Sequence, residues 1–270
     1  MMLTFKLLGP LEILNGAHHC TPTAPRTLRT LALLVVRIHY VVPLSTIIEE
    51  LWGDQPPRTA STTAQTYIYQ LRRIVDEQRL PVSGKELLRT RAPGYVLHCP
   101  EERTDLLHFR RLTTRAQQLL AERRAEEASV LLRQALDLWR GAPLANVSVG
   151  PVLEGYLASL EEQRMWALNL RIEADLQLGR VHQLIEELRV LVVEFPYNEW
   201  YHSLLIFSLA RVGRRRDALQ AYERTRCVLS EELGLSPSAE LRRILQDAVL
   251  RDEDARPPRP MPSSIEPLSV

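Results

Sequence analysis

Side chains able to read nucleic-acid bases cluster in one stretch, Arg58–Gln78, which reads RTASTTAQTYIYQLRRIVDEQ. Ala64, Ile68, Leu71 and Val75 recur at i, i+4, i+7 and i+11, so at ~3.6 residues per turn they form one apolar stripe of a helix. Thr63, Thr66, Gln70 and Arg73 project opposite that stripe, with Tyr69 beside them. Gln65 joins them as a candidate contact. An amide, an aromatic ring and a guanidinium on one uncharged-to-basic face are groups that hydrogen-bond and stack against base edges in a major groove. Ser61, Thr62 and Thr63 are the expected N-cap candidates, placing free N–H groups and a positive helix end at the entry, a setting suited to phosphate. The bland alternative, a surface helix with a merely solvated face, fits less well. The basic hairpin that follows and the local charge both favour DNA.

Catalytic patterns are missing. No GK[ST] loop, HExxH or GxSxG occurs, and Gly84-Lys85-Glu86 lacks phosphate-loop spacing. Glu161-Glu162 and Glu186-Glu187 are adjacent on helices and diverge, so they are poor acid/base pairs. An enzyme is not expected, nor any cofactor. His18-His19-Cys20 could suggest a metal, but three consecutive residues wrap one ion poorly and no fourth ligand is evident, so no metal site is expected. Cys20, Cys99 and Cys227 are odd in number and widely spaced, which fits reduced thiols. The 270 residues contain no bilayer-length apolar run and no leader pattern at Met1, so a soluble, cytoplasmic protein without a membrane partner is expected.

The net charge of +1 conceals a division. Residues 1–100 hold 11 Lys+Arg against 7 Asp+Glu, whereas residues 101–250 hold 20 against 22. Within the first hundred, positions 58–91 alone carry 7 basic and 3 acidic residues, the whole excess of +4. That is a local positive field around the candidate helix.

The elements that must position this helix can be read in order. Leu3, Phe5 and Leu7 alternate with polar residues as a strand, and Gly9-Pro10 turns the chain before Leu11-Glu12-Ile13, predicting a small N-terminal sheet. Leu28, Leu31, Ala32, Val35 and Ile38 predict a first helix over Thr27–His39. A second starts near Pro43 and Ser45, with Ile47, Ile48, Leu51 and Trp52 on one side, Glu49 and Glu50 outward, and Gly53 as terminator. After the candidate helix, Leu87–Thr90 and Tyr95–Leu97 flank the turn Arg91-Ala92-Pro93-Gly94 as a hairpin. Strands, three helices and a hairpin make a winged helix–turn–helix. Residues 101–250 are Leu- and Ala-rich with helical spacing almost throughout. Leu178-Gly179-Arg180 and Val212-Gly213-Arg214 are 34 residues apart, a tetratricopeptide-like period, and three irregular helical hairpins are expected. The fold class is therefore mainly α with a small β component. Its domains are 1–100, 101–250 and a disordered proline-rich tail, 251–270. Arg214-Arg215-Arg216 falls at a repeat turn and reads as solvated.

Two resemblances follow from these residues. Tyr67-Ile68-Tyr69-Gln70-Leu71-Arg72-Arg73 and Arg91-Ala92-Pro93-Gly94-Tyr95 resemble the output domain of OmpR-type response regulators. That likeness implies a third helix in the major groove and Arg91 in the minor groove, with Trp52 and Tyr95 touching the backbone or packing beneath it. With a strand beginning at Leu3 no receiver domain is expected ahead of it, and so no aspartate switch in cis. Ala135-Leu136-Asp137-Leu138-Trp139-Arg140-Gly141-Ala142-Pro143-Leu144, Ala218-Leu219-Gln220-Ala221-Tyr222 and Glu231-Glu232-Leu233-Gly234-Leu235-Ser236-Pro237 resemble the bacterial transcriptional activation domain. The two in this order resemble the Streptomyces antibiotic regulatory protein family.

The resemblance implies a sequence-specific transcriptional activator of a secondary-metabolite gene cluster. Its partners would be double-stranded promoter DNA, bound as a head-to-tail homodimer on direct repeats near the −35 element, and RNA polymerase holoenzyme with its sigma factor. Arg72 and Arg73 are expected on phosphates, Gln70, Thr66 and Tyr69 on bases, with Arg73 as an alternative base contact, and Arg89 and Arg91 on the wing. A tetratricopeptide-like protein-interaction scaffold is the alternative class.

Overall fold

The computed structural model describes residues 3–78, 82–247 and 257–258. The expected disordered tail lies outside the described residues apart from 257–258. The chain forms two compact units, Met1–Ala116 with Leu131–Ala167, and Gln117–Val130 with Leu168–Val270.

In the first unit, strands β1 (Leu3–Lys6), β2 (Glu12–Asn15) and β3 (His18–His19) form an antiparallel sheet in that order, with Phe5 opposite Ile13. Helix α1 (Pro25–Val36) starts two residues before the expected Thr27, because Pro25 sits in its first turn, where a missing N–H costs nothing. It ends at Val36 rather than His39, and His39 takes a positive φ of 69°. The two-residue strand β4 (Val42–Pro43) leads into α2 (Leu44–Trp52), which Gly53 terminates. Helix α3 (Ala60–Glu77) buries Ala64, Ile68, Leu71 and Val75 as the spacing predicts, and Ala60 one turn earlier. The short α4 (Gly84–Leu87) is closed by a capping box between Ser83 and Glu86 and feeds β5 (Leu88–Arg91). Strand β6 (Gly94–Leu97) pairs with β5 on one side and β4 on the other, so the wing is a three-stranded sheet of order β4-β6-β5 rather than a bare hairpin.

Two expectations about local chemistry are corrected. Ser61, Thr62 and Thr63 do not cap α3: the N-cap position is Thr59, without a side-chain hydrogen bond, and the Ala60 N–H donates to the Pro57 carbonyl. The helix starts earlier because the Pro56-Pro57 turn already supplies an acceptor. Nor does Glu50 point outward with Glu49. Its residue is 1% exposed, and its carboxylate accepts the N–H groups of Gly150 (2.6 Å) and Leu153 (2.9 Å). These lie at the start of the 27-residue α7 (Pro151–Gln177), so Glu50 caps that helix from α2 and its charge meets the positive helix end. Gly150 is required for the approach, since a Cβ there would stand 2.1 Å from the Glu50 carbonyl oxygen.

Helices α5 (Asp105–Ala121) and α6 (Ala125–Leu136) precede α7. The segment between α6 and α7 and the start of α5 complete the N-terminal sheet. The Asp105 carboxylate accepts from the N–H groups of Leu7 (2.8 and 2.9 Å) and Leu8 (3.0 Å). Asn146 brackets Leu11, accepting its N–H at 2.7 Å and donating to its carbonyl at 3.1 Å. The Arg140 and Leu144 N–H groups donate to the carbonyls of Leu8 and Leu7, and Arg140 pairs with Glu12 at 3.0 Å. Trp139 meets Phe109 edge to face at 5.4 Å, beneath the Arg164 guanidinium.

The second unit is helical: α7 from Leu168 onward, α8 (Val181–Glu194), α9 (Glu199–Arg211), α10 (Arg215–Leu233) and α11 (Ala239–Leu245). Helix α9 is buried from Tyr201 through Leu209 and forms its centre. The 34-residue repeat is real at backbone level. Gly179 and Gly213 take φ of 70° and 78°, and the following Arg180 and Arg214 N–H groups donate to Asp175 and Leu209 carbonyls. The loop between α5 and α6 closes the same way, with Arg124 N–H on the Leu119 carbonyl, but Arg123 holds the left-handed position at φ 59°. Asp175 is buried and accepts from Ser129, Arg171 and Arg180. Among the described residues no helix is long and apolar enough to cross a membrane.

Two stability predictions follow from these buried groups. Glu50→Gln keeps one carbonyl oxygen for the α7 N–H groups and turns an NH2 toward the other, so urea unfolding is expected to show a loss of about 1–3 kcal/mol. His202 is buried, bridges the Pro196 carbonyl (2.9 Å) and the Thr225 hydroxyl (2.8 Å), and is held below its ordinary pKa chiefly by burial, against the raising effect of the Pro196 carbonyl and Glu199. Its folded-state pKa lies below the unfolded value near ~6.5. The stability it contributes is therefore complete above that value and is lost as pH falls through the folded pKa. Melting curves from pH 7.5 to 5.5 are expected to fall more steeply for the native chain than for His202→Gln.

Candidate nucleic-acid interface

Helix α3 packs its apolar stripe on α1 and α2 and leaves Ser61, Thr62, Gln65, Thr66, Tyr69 and Arg73 exposed, with Tyr69 64% accessible. No described protein acceptor takes the N–H of Ser61 or Thr62, and no acidic residue lies in the first turn. The helix start is therefore a positive end presenting free donors, although no side chain caps it. Thr63 is half-buried. The Thr66 hydroxyl donates back to the Thr62 carbonyl at 3.0 Å.

The structure separates the two arginines of Arg72-Arg73. Arg72 is tied to the wing: Nε and Nη2 donate to the Leu88 carbonyl at 3.0 and 2.8 Å, Nη2 donates to Thr90 Oγ1 at 2.9 Å, and the guanidinium lies 5.7 Å from the centre of the Tyr95 ring. It locks α3 to the β5–β6 hairpin, and Tyr95 is buried beneath it. Arg73 is 64% exposed, and among the described residues its one ion pair is with Glu77 at 3.3 Å. Such an exposed pair is worth ~0–1 kcal/mol, weak enough for a phosphate to displace.

Arg91 and Arg89 are exposed on the wing. Arg89 donates to the Glu86 carbonyl at 3.0 Å, and Arg91 has no ion-pair partner among the described residues. Their field is felt locally: His98 is held below its ordinary pKa first by burial and then by Arg89, His39 and Arg91. Trp52 is half-buried under the Arg26 guanidinium, 5.6 Å from its ring centre.

Gln70 is half-buried, and its Oε1 accepts the Thr27 hydroxyl at 2.8 Å. It lines an open groove with Thr66, Tyr69 and Arg73 of α3 and with Pro22 and Thr27 from the entry to α1. The α1 side of this groove escapes sequence reading, because Thr27 and Gln70 are 43 residues apart and no periodicity connects them. His18 and His19 are exposed, and the Cys20 thiol bonds Gln78 Oε1 at 2.9 Å. Among the described residues no group of three His, Cys, Asp or Glu is placed to hold a metal.

A winged helix of OmpR type, extended by a helical domain, defines a class of transcriptional regulators. The chain matches the "Transcriptional regulatory protein, C terminal" family over residues 19–97 and the "Bacterial transcriptional activator domain" family over residues 104–250. It is 38% identical over 253 residues to Regulatory protein DnrI of Streptomyces peucetius, covering 92% of each chain. Transcriptional regulator RedD of Streptomyces coelicolor is 34% identical over 91% of this chain and 71% of its own length. A solved structure, Mycobacterium tuberculosis EmbR in complex with a low affinity phosphopeptide, matches with a TM-score of 0.87 at 30% identity, over 94% of this chain and 66% of that one. The chain belongs to the Streptomyces antibiotic regulatory protein family of transcriptional activators.

Replacing Arg72 should reveal its clamping role. Arg72→Ala removes three hydrogen bonds and a cation–π contact and is expected to cost about 1–3 kcal/mol in urea unfolding. Arg72→Lys should recover little of it, because an ammonium cannot reproduce the guanidinium fork.

Proposed function

We propose that the protein is a sequence-specific DNA-binding activator, acting in the cytoplasm at the nucleoid. Helix α3 lies in the major groove and Arg91 enters the minor groove from the wing. The observation that carries this reading is the Arg72 clamp. It sets a fixed distance between an exposed polar helix face and an exposed basic hairpin, both inside the stretch that holds the chain's basic excess. Gln65, Thr66, Tyr69 and Gln70 face the bases. Thr63, Arg73, Arg89 and the free N–H groups of Ser61 and Thr62 serve the phosphates, and Trp52 holds Arg26 near the backbone. Arg72 and Tyr95 act from behind, by holding the wing.

One such module buries ~600–1,000 Å² on DNA, which is small for tight binding. Two protomers, head-to-tail on direct repeats near a −35 element, supply the remainder. The boundary between the two matched families near residue 100 then separates reading from output: the helical region 101–250 contacts RNA polymerase and its sigma factor, with a secondary-metabolite gene cluster as the regulated target. No step in this function requires catalysis or a cofactor.

The test uses the full chain and a duplex selected from a random pool. Arg91→Ala is expected to weaken binding and to lower the slope of log K against log salt by about one, because one phosphate-neutralising cation is lost. Arg72→Ala should weaken binding with the slope unchanged. A native chain showing no preference for the selected duplex over random DNA at physiological salt would instead identify a protein-interaction scaffold.

A further inference from the structure

The groove beside α3 contains one side chain whose hydrogen-bonding sense is set from behind. Thr27 is 2% exposed, and among the described residues its hydroxyl has a single acceptor, Gln70 Oε1 at 2.8 Å. This contact decides which end of the amide is which. Were the two ends exchanged, the amide nitrogen would donate to Thr27 and the buried hydroxyl proton would have no acceptor, a costly arrangement. The carbonyl end of Gln70 is thus held toward α1. The NH2 end is left for the groove that Gln70 shares with Thr66, Tyr69 and Arg73.

A glutamine reads adenine with both ends at once: nitrogen donates to N7 while oxygen accepts from the N6 amino group. With its oxygen turned to the buried Thr27 on α1 and its NH2 end toward the groove, Gln70 cannot present both ends to one adenine. We infer that Thr27 converts Gln70 into a donor-only reader, which selects guanine, whose O6 and N7 are adjacent acceptors, over adenine. Cytosine is rejected at the same place, since its exposed N4 group is itself a donor. Thr27 is a positioning residue here, acting through Gln70 without touching DNA. Arg73 lies one helical step away in the same groove, and its charge favours the same acceptor-rich edge.

The inference rests on the proposed DNA binding, and its test separates the two. Duplexes carrying each base pair at every operator position are titrated with the full-length native chain, Gln70→Ala, Thr27→Val, Thr27→Ser and Gln70→Glu, and each variant's melting curve is recorded. One position is expected to favour guanine over adenine by about tenfold in the native chain and to lose that preference in Gln70→Ala. At this position Thr27→Val should bring adenine to within about twofold of guanine, because the amide is free to turn and pair both ends with adenine. Thr27→Ser, which keeps the hydroxyl, should behave as the native chain. Gln70→Glu offers only acceptors and should shift the preference to cytosine or adenine, a readout that survives if Thr27→Val fails to fold.

An adenine preference at the Gln70-dependent position overturns the inference, as does a natively melting Thr27→Val with unchanged preferences. Gln70→Ala weakening every duplex alike also overturns it, by placing the amide on a phosphate. In these three cases DNA reading by the chain survives. Failure of the native chain to discriminate any duplex overturns both.

Discussion

A carboxylate that is 1% exposed must be neutralised or it destabilises the fold by several kcal/mol, and Glu50 meets that demand with two main-chain N–H groups at the head of α7. The partners lie a hundred residues downstream of it, so the constraint reaches across the sequence boundary between the two matched families. Arg29 strengthens the joint, with one guanidinium nitrogen on the Glu50 carbonyl and the other on Ser148. Because α2 is fixed in this way, α1 and α3 have a fixed surface to pack against, and Arg72 then carries that order out to the wing. The exposed face of α3 is the last link of a chain that begins at a buried charge.

Along α3 the side chains fall into two populations whose difference is energetic. Arg72 and Gln70 are committed: one is held by the wing, the other by α1. Tyr69, Gln65 and Arg73 are free or weakly paired. A surface built only of free side chains would lose conformational entropy at every contact, about 0.5–1.5 kcal/mol for each immobilised long side chain. Holding two of them beforehand reduces that cost and narrows what the face can recognise.

Much of this architecture was legible in the residues. The stripe Ala64, Ile68, Leu71, Val75 is the buried face of α3, the glycines 34 apart sit in identical backbone turns, and the strand–helix–hairpin order holds. Periodicity reports the direction of a side chain around its own helix axis, and there it succeeds. It is silent on what another element brings to that direction. Helical spacing opposite Ile47, Ile48, Leu51 and Trp52 points Glu50 outward with Glu49, and only the three-dimensional fold brings the start of α7 to its carboxylate. Helical angle alone places Gln70 on the outer face, and α1 stands beside it there, with Thr27 on its amide oxygen. The cap of α3 differs from the expected one for a local reason: the Pro57 carbonyl accepts the Ala60 N–H and starts the helix before the serine and threonines that resemble a cap.

The bonds that close the N-terminal sheet have a consequence in time. Leu7, Leu8 and Leu11 are made at the start of synthesis, but the groups that satisfy them belong to Asp105, Arg140, Leu144 and Asn146. A nascent chain just past its wing carries polar main-chain groups that only water can serve. At ~5–20 residues per second, several seconds pass before the last partners are made. During that interval the winged helix exists without its foundation, and it gains one only when the ribosome has delivered the beginning of the region that follows.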